Sequence, residues 1–143
     1  MSGFSDIFAG LKTVLTNSSG VSKSNVHMGA PDAINDYPAI ALIPESFDMV
    51  VAFAGNSFEG DIRAKVFIKS GDDEEGWRQL WDYIDPTQAS TSLVRAIRAD
   101  RSLDGKVDGA EVMRIENISR SEIGGGFLFT FDAIIHVIKA VAP

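Results

Sequence analysis

A strand near the carboxyl end sets the strongest requirement on the fold. Residues 126–139 read GFLFTFDAIIHVIK and have the period of two that is typical of a β-strand. One face would carry Phe127, Phe129, Phe131, Ala133, Ile135 and Val137, and the other Leu128, Thr130, Asp132, Ile134, His136 and Ile138. An antiparallel strand in a small domain usually leaves one side to water, yet apolar residues stand on both faces here. We therefore expect a cover over the second face, either helices of the same subunit or a neighbouring subunit.

The remaining elements follow from hydrophobic periodicity. Helices are predicted over residues 4–15, from Trp77 to Ile84, and over 90–99. Strands are predicted over 38–43, 47–54, 58–69 and 110–119, in addition to 126–139. Residues 18–25 are rich in Ser and Gly and are expected to form a flexible loop. The order α-β-β-β-α-α-β-β predicts a single α+β domain over residues 1–143, in which a mixed or antiparallel sheet of about five strands is packed by the N-terminal helix and two central helices.

Charge and composition narrow the function classes. The chain has a net charge of −7 and no cysteine, which excludes disulfides and thiolate metal sites and argues against a broad phosphate-binding surface. No stretch approaches the roughly 20 apolar residues of a transmembrane helix. The first residues lack the basic and apolar regions of a signal peptide, so no membrane association is expected.

The candidate catalytic residues do not form a working pair. Asp132 and His136 share a strand face, but four residues of strand span about 13 Å, too far for a base and its orienting carboxylate. His136 is therefore interpreted as a packing or interface residue, with metal ligation and catalysis as less favoured alternatives. No nucleophile-elbow pattern is present, and we predict no catalytic residue, cofactor or metal.

Two charged segments and one aromatic pair each have competing explanations. The acidic run Asp72, Asp73, Glu74 and Glu75 precedes a helix, where carboxylates cap the backbone and favour the dipole; a cation site is the alternative. Arg63, Lys65 and Lys69 share a strand face with Phe67, and this face is either solvated or the rim of a protein interface. Trp77 and Trp81 lie one helical turn apart, which favours core packing over a ligand-stacking platform.

The second half of the chain carries a family pattern. Residues 76–140 contain, in order, an aromatic-rich helix, a Thr/Ser/Ala-rich break, a short helix ending Arg-Ala-Asp-Arg-Ser-Leu, an Asp-Gly turn with the sequence LDGKV (103–107), a valine-rich strand, a Gly turn and the terminal strand. This segment resembles the tail terminator proteins of long, non-contractile-tailed bacteriophages and the related tail-completion and neck proteins. The first half agrees in outline, with a leading helix, an apolar strand flanked by prolines, and a hairpin.

The resemblance implies a virion structural protein without enzymatic activity. Such a protein, assembled in the host cytoplasm, would form a closed ring, a hexamer, on the end of the tail tube; it would stop tube polymerisation and offer a surface to the head-tail connector protein. A head-to-tail contact that closes makes a ring, and an acidic lumen lets DNA pass without specific binding. For the interface we select Arg63, Lys65, Phe67, Lys69, Phe127, Phe129, Ile134 and His136, and for the lumen Asp72, Asp73, Glu74 and Glu75.

Two alternatives remain. Another neck or head-completion protein would form the same ring with a different docking partner. A small α+β ligand-binding domain, with Trp77 and Trp81 lining a pocket, is the alternative from a different class.

Overall fold

Helices and strands occur along the chain in the predicted order. The structure, a computed structural model, describes residues 4–19, 26–29, 37–50, 57–87 and 92–139. Its helices are α1 (Phe4–Ser19), α2 (Asp73–Ile84) and α3 (Leu93–Ala99), and its strands are β1 (Val26–Met28), β2 (Ala39–Val50), β3 (Ser57–Ser70), β4 (Gly109–Ile123) and β5 (Gly126–Lys139). The predicted flexible loop at 18–25 is wrong for Ser18 and Ser19, which are the last residues of α1. Residues 20–25 of that loop and the turn between the predicted strands 47–54 and 58–69 lie outside the described residues.

The strands form one mixed sheet in the order β1-β2-β3-β5-β4. β1 runs parallel to β2, with Val26 opposite Ile40, and the other pairs are antiparallel. β5 lies between β3 and β4, so both of its edges are hydrogen-bonded. The predicted α+β class, with five strands packed by three helices, is therefore confirmed.

The first two strands differ from the prediction. Residues 38–43 and 47–54 were expected to be separate strands, but β2 continues from Ala39 through Pro44 to Val50. β1 pairs with β2 only as far as Leu42, so Pro44 lies where β2 has become an edge strand, a position in which a sheet tolerates proline. The extra residue Glu45 forms a bulge there. β1 itself was not predicted, because its three residues are too short to show a period.

The helices pack on one face of the sheet. The core joins alternate residues of the two central strands to the apolar sides of α1 and α3; it includes Ile62, Ala64, Val66, Ile68, Phe129, Phe131, Ala133 and Ile135 with Ile7, Leu11, Leu15, Leu93 and Ile97. α2 approaches most closely at Gly76, where an added Cβ would overlap the ring of Phe129. Helices of the same subunit therefore cover the odd-numbered face of β5.

The sequence predicts where α2 begins but not which of its sides faces the sheet. Asp72 is the N-cap and accepts a hydrogen bond from the Glu74 backbone N–H at 3.2 Å, which confirms the capping interpretation of the acidic run. The buried positions are Gly76, Leu80 and Tyr83. Trp81, expected in the core, is 57% exposed, because the helix faces the sheet through Gly76, Leu80 and Tyr83, with only Trp77 of the indole pair partly buried against the core.

β4 is a long edge strand with two interruptions. Met113 is an extra residue between the pairs that Val112 and Arg114 make with β5. Further along, Asn117 and Ile118 lie between two consecutive pairs, and Asn117 has a φ of 57°. Bulges bend a strand and redirect side chains, and both bulges leave an apolar side chain, Met113 or Ile118, exposed.

Candidate interaction surface

The sheet has a second face on which none of the three described helices lies. We call it the open face, and its central members are Glu59, Asp61, Arg63, Lys65, Phe67 and Lys69 from β3, with Leu128, Thr130, Asp132, Ile134, His136 and Ile138 from β5. Polar and charged groups dominate it, although Ile134 at its centre is only 1% exposed. The sequence predicted that this face is covered either by helices of the same subunit or by a neighbouring subunit. Within the described residues, no helix of the same subunit covers it.

Side chains of the open face cover Ile134 themselves. Arg63 of β3 and Arg114 of β4 are its direct cross-strand neighbours on either side. Long arginine stems cover apolar surface while their charged ends stay in water. The apolar residue at the centre of this face is thus buried within one chain, and its burial does not require a second layer.

Arg63 is the centre of an ion-pair cluster, which consists of Arg63, Glu45, Glu116, Asn117 and Asp132. Its guanidinium donates to Asp132 Oδ2 at 2.6 Å, lies 2.9 Å from Glu116 Oε1, and donates through Nε to Glu45. Asn117 Nδ2 donates to the same oxygen of Asp132 at 2.8 Å. Three carboxylates thus converge on one guanidinium in the middle of the face.

Two members of the ion-pair cluster come from bulges. Glu45 is the extra residue of β2, and Asn117 lies in the second bulge of β4. A regular strand would continue the pairing at these positions, whereas a bulge directs the side chain to a new position. The irregularities of the outer strands therefore build the cluster on the central ones.

The electrostatics of the ion-pair cluster favour its charged form. The hydrogen bonds that Arg63 donates to Glu45 and then to Asp132 raise its pKa above the ordinary value. A hydrogen bond from Arg114, assisted by Arg63, lowers the pKa of Glu116. Asp132 is 3% exposed, and a buried carboxylate depends on its ion partner. Asp132 is thus a buried carboxylate paired with Arg63, while Glu45 and Glu116 pair with the same guanidinium nearer the solvent.

His136 occupies a separate cluster at one end of the open face. Its Nδ1 lies 2.8 Å from Asp61 Oδ1, and its Nε2 lies 3.3 Å from Glu59 Oε2. These two carboxylates, the hydrogen bond to Asp61 first, raise the pKa of His136. Asp132 bonds to Arg63 and Asn117 instead, so the two residues considered as a catalytic pair belong to different clusters.

The other end of the open face is cationic and aromatic. We call it the lysine patch: Tyr37, Lys65, Phe67 and Lys69. Lys65 Nζ lies 5.8 Å from the ring centre of Phe67, and Lys69 Nζ lies 6.0 Å from that of Tyr37, distances typical of cation–π contacts. Within the described residues neither lysine forms an ion pair with a carboxylate.

The remaining predicted interface residues lie on the core side. Phe127 is partly buried, with the Arg120 guanidinium 4.9 Å from its ring centre. Phe129 is completely buried, and its ring meets Trp77 edge to face at 5.0 Å. Phe129 is therefore a core residue of one chain and not an interface residue, because α2 covers it.

The predicted lumen residues lie around the first turn of α2, on the helical side of the sheet. Asp73 pairs with Arg120 at 2.9 Å, while Glu74 and Glu75 both pair with Arg78. Their assignment to a lumen stays a prediction.

Sequence reasoning missed Glu45, Glu116 and Asn117. Their convergence depends on strand register and on bulges, which a single sequence does not reveal. One signal was available: Asp132 is the single carboxylate of a largely apolar strand, between Phe131 and Ala133, and a buried carboxylate needs a partner.

Among the described residues, no helix is long and apolar enough to cross a membrane. The same residues contain no group of three His, Asp or Glu side chains placed to hold a metal ion.

Comparison with known proteins gives little beyond these observations. No protein-family model matches the chain, and no curated protein matches it. Among solved structures, the chain is similar to one from "Virion of native gene transfer agent (GTA) particle", with a TM-score of 0.49 and 13% identity over 92% of this chain and 90% of that chain.

Proposed function

We propose that this protein is a structural component of a phage-like virion and not an enzyme. Within that class, we propose a tail terminator. Copies would close into a hexameric ring on the end of the tail tube, stop tube polymerisation and present a docking surface to the head-tail connector protein. The net charge of −7 would let DNA slide through the ring, since like charges repel it.

The observation that carries the proposal is the one-sided packing of the sheet. The resemblance over residues 76–140 implies a mixed sheet with helices on one side, and α2, α3, β4 and β5 occur in the order that it requires. Such packing leaves the open face available to other molecules. Its ion pairs are already formed in the single chain, and a preformed surface loses less entropy when it binds.

The two indoles argue against the ligand-binding alternative. Trp77 is partly buried against Phe129, whereas Trp81 is exposed to solvent. Because they occupy different environments, they do not line one pocket. The other alternative, a different neck or head-completion protein, uses the same ring and differs only in its docking partner.

A tail-tube assay tests the proposal directly. Purified protein is added to polymerising tail tubes, with an equal amount of an unrelated acidic protein as control, and tube lengths are measured by negative-stain electron microscopy. We expect shorter tubes with a ring on one end, and light scattering of the free ring at about six times the chain mass. Unchanged tube lengths refute the terminator role. Rings that bind the head connector without limiting tube length favour the other neck protein.

A further inference from the structure

We infer that copies of this chain join head to tail, with the exposed side of α2 in one copy docked on the lysine patch of the next. The exposed side of α2, here the α2 stripe, consists of Glu74, Arg78, Trp81 and Asp82. The inference rests on the proposed function, because it assigns the joint of the ring to two surfaces of the chain.

The α2 stripe has the composition of a docking surface. Its residues recur every three or four positions and so lie on one side of the helix, opposite Gly76, Leu80 and Tyr83, which are buried. Trp81 is 57% exposed, and tryptophan is among the residues most enriched at the energetic centres of interfaces. Glu74 and Asp82 against Arg78 give the stripe a net charge of −1, within a helix whose net charge is −3.

The lysine patch is complementary to the α2 stripe in charge and in the type of contact that each can make. Lys65 and Lys69 lack a carboxylate partner within the described residues, and each has an aromatic ring beside it. An acidic helix would supply the missing carboxylates, and a lysine ammonium packs favourably over an indole face. Complementary potentials of this kind select the partner and fix the register of an interface.

The two surfaces lie on opposite sides of the molecule. α2 packs through Gly76 on Phe129, on the core side of the sheet, while Lys65 and Lys69 project from the open face of β3. Neither surface blocks the other, so each copy can contact one neighbour through α2 and a second through the lysine patch. Contacts between two different surfaces are heterologous, and these produce rings when the rotation closes.

Two variants test the joint, one for each surface. Lys65→Glu/Lys69→Glu reverses the patch, and Trp81→Ala removes the anchor of the α2 stripe. Trp81 is exposed, so its variant should fold normally, which urea unfolding checks for both. In sedimentation velocity we expect wild-type protein to assemble beyond the dimer and each variant to stay at the 15.4 kDa of one chain.

A mixture of the two variants gives the sharpest result. The Trp81→Ala variant keeps an intact lysine patch, and the Lys65→Glu/Lys69→Glu variant keeps an intact α2 stripe, so one copy of each can join. The two surfaces left over in that pair are both altered, so we expect dimers of twice 15.4 kDa and nothing larger. The matched control is Lys12→Glu/Lys106→Glu, which changes the net charge equally outside the patch and should assemble like wild type.

The other possible outcomes distinguish failure of the proposed joint from failure of the terminator proposal. Rings of normal mass in either variant, or a mixture that stays monomeric, overturn the joint but leave the terminator proposal standing. Wild-type protein that stays monomeric up to about 1 mM also overturns the joint, since its Kd would then exceed that value. Open filaments that the patch variant abolishes support the joint and refute the closed ring.

Discussion

Replacement of Arg63 by methionine should destabilise the folded chain by about 2–4 kcal/mol. Removing one partner of a buried ion pair costs roughly 3–5 kcal/mol because it leaves an uncompensated charge, and Asp132 is only 3% exposed. Two features reduce the cost: the Arg63 side chain is 22% exposed, and Asn117 continues to donate to Asp132 Oδ2. Methionine keeps an apolar stem over Ile134, so the change isolates the loss of charge.

Urea unfolding at neutral pH measures this effect. With a slope of about 2 kcal/mol per M, typical of a small domain in urea, the midpoint should fall by about 1–2 M. Arg114→Met is the matched control, because Arg114 flanks Ile134 from the other strand and pairs with Glu116 at the exposed edge. It should cost less than about 1 kcal/mol, as exposed pairs do.

The double variant Arg63→Met/Asp132→Asn distinguishes charge from packing. If the penalty of the single variant comes from an unpaired carboxylate, removing that carboxylate should recover most of the lost free energy, and the coupling between the two sites should reach about 2 kcal/mol. Equal losses in the Arg63 and Arg114 variants, or no recovery in the double variant, would refute the reasoning.

Two further outcomes are expected. Gly76→Ala should destabilise the chain by about 1–3 kcal/mol because its Cβ meets the ring of Phe129, whereas Gly71→Ala, with open space around it, should change the unfolding midpoint little. His136→Gln should lose stability chiefly at low pH: the His136 pKa is raised by Asp61, so its contribution is present below the unfolded pKa of about 6.5 and is lost as pH rises through the higher folded value. Unfolding at about pH 5.5 and 8.5 checks this; an equal loss at both would contradict it.

The elements with a strong local signal were predictable from the sequence. β5 alternates over its whole length, and the residues expected on one face, from Phe129 to Val137, form the core. The acidic run before α2 was predicted to cap the helix, an interaction that needs no distant partner, and Asp72 is the N-cap. Local periodicity and capping chemistry therefore gave the fold class and most element bounds.

Features that depend on distant pairing were not predictable. The ion-pair cluster joins Glu45, Arg63 and Asp132 from three strands, and two bulges complete it. The orientation of α2 depends on Gly76 fitting against Phe129, a contact that the helical period does not reveal. The period alone therefore predicted Trp81 in the core, whereas it is exposed. Of the selected interface residues, Phe129 and Ile134 are buried within one chain, and the assignment of the others to an interface stays a prediction.

The interrupted edge of β4 has a consequence for contacts between separate copies of the chain. A continuous 15-residue strand at the end of a sheet would offer a long template for strands of other chains. The bulges at Met113 and at Asn117 break that template into short pieces of differing direction. Strand pairing between copies of the chain, and fibre growth from this border, are therefore disfavoured.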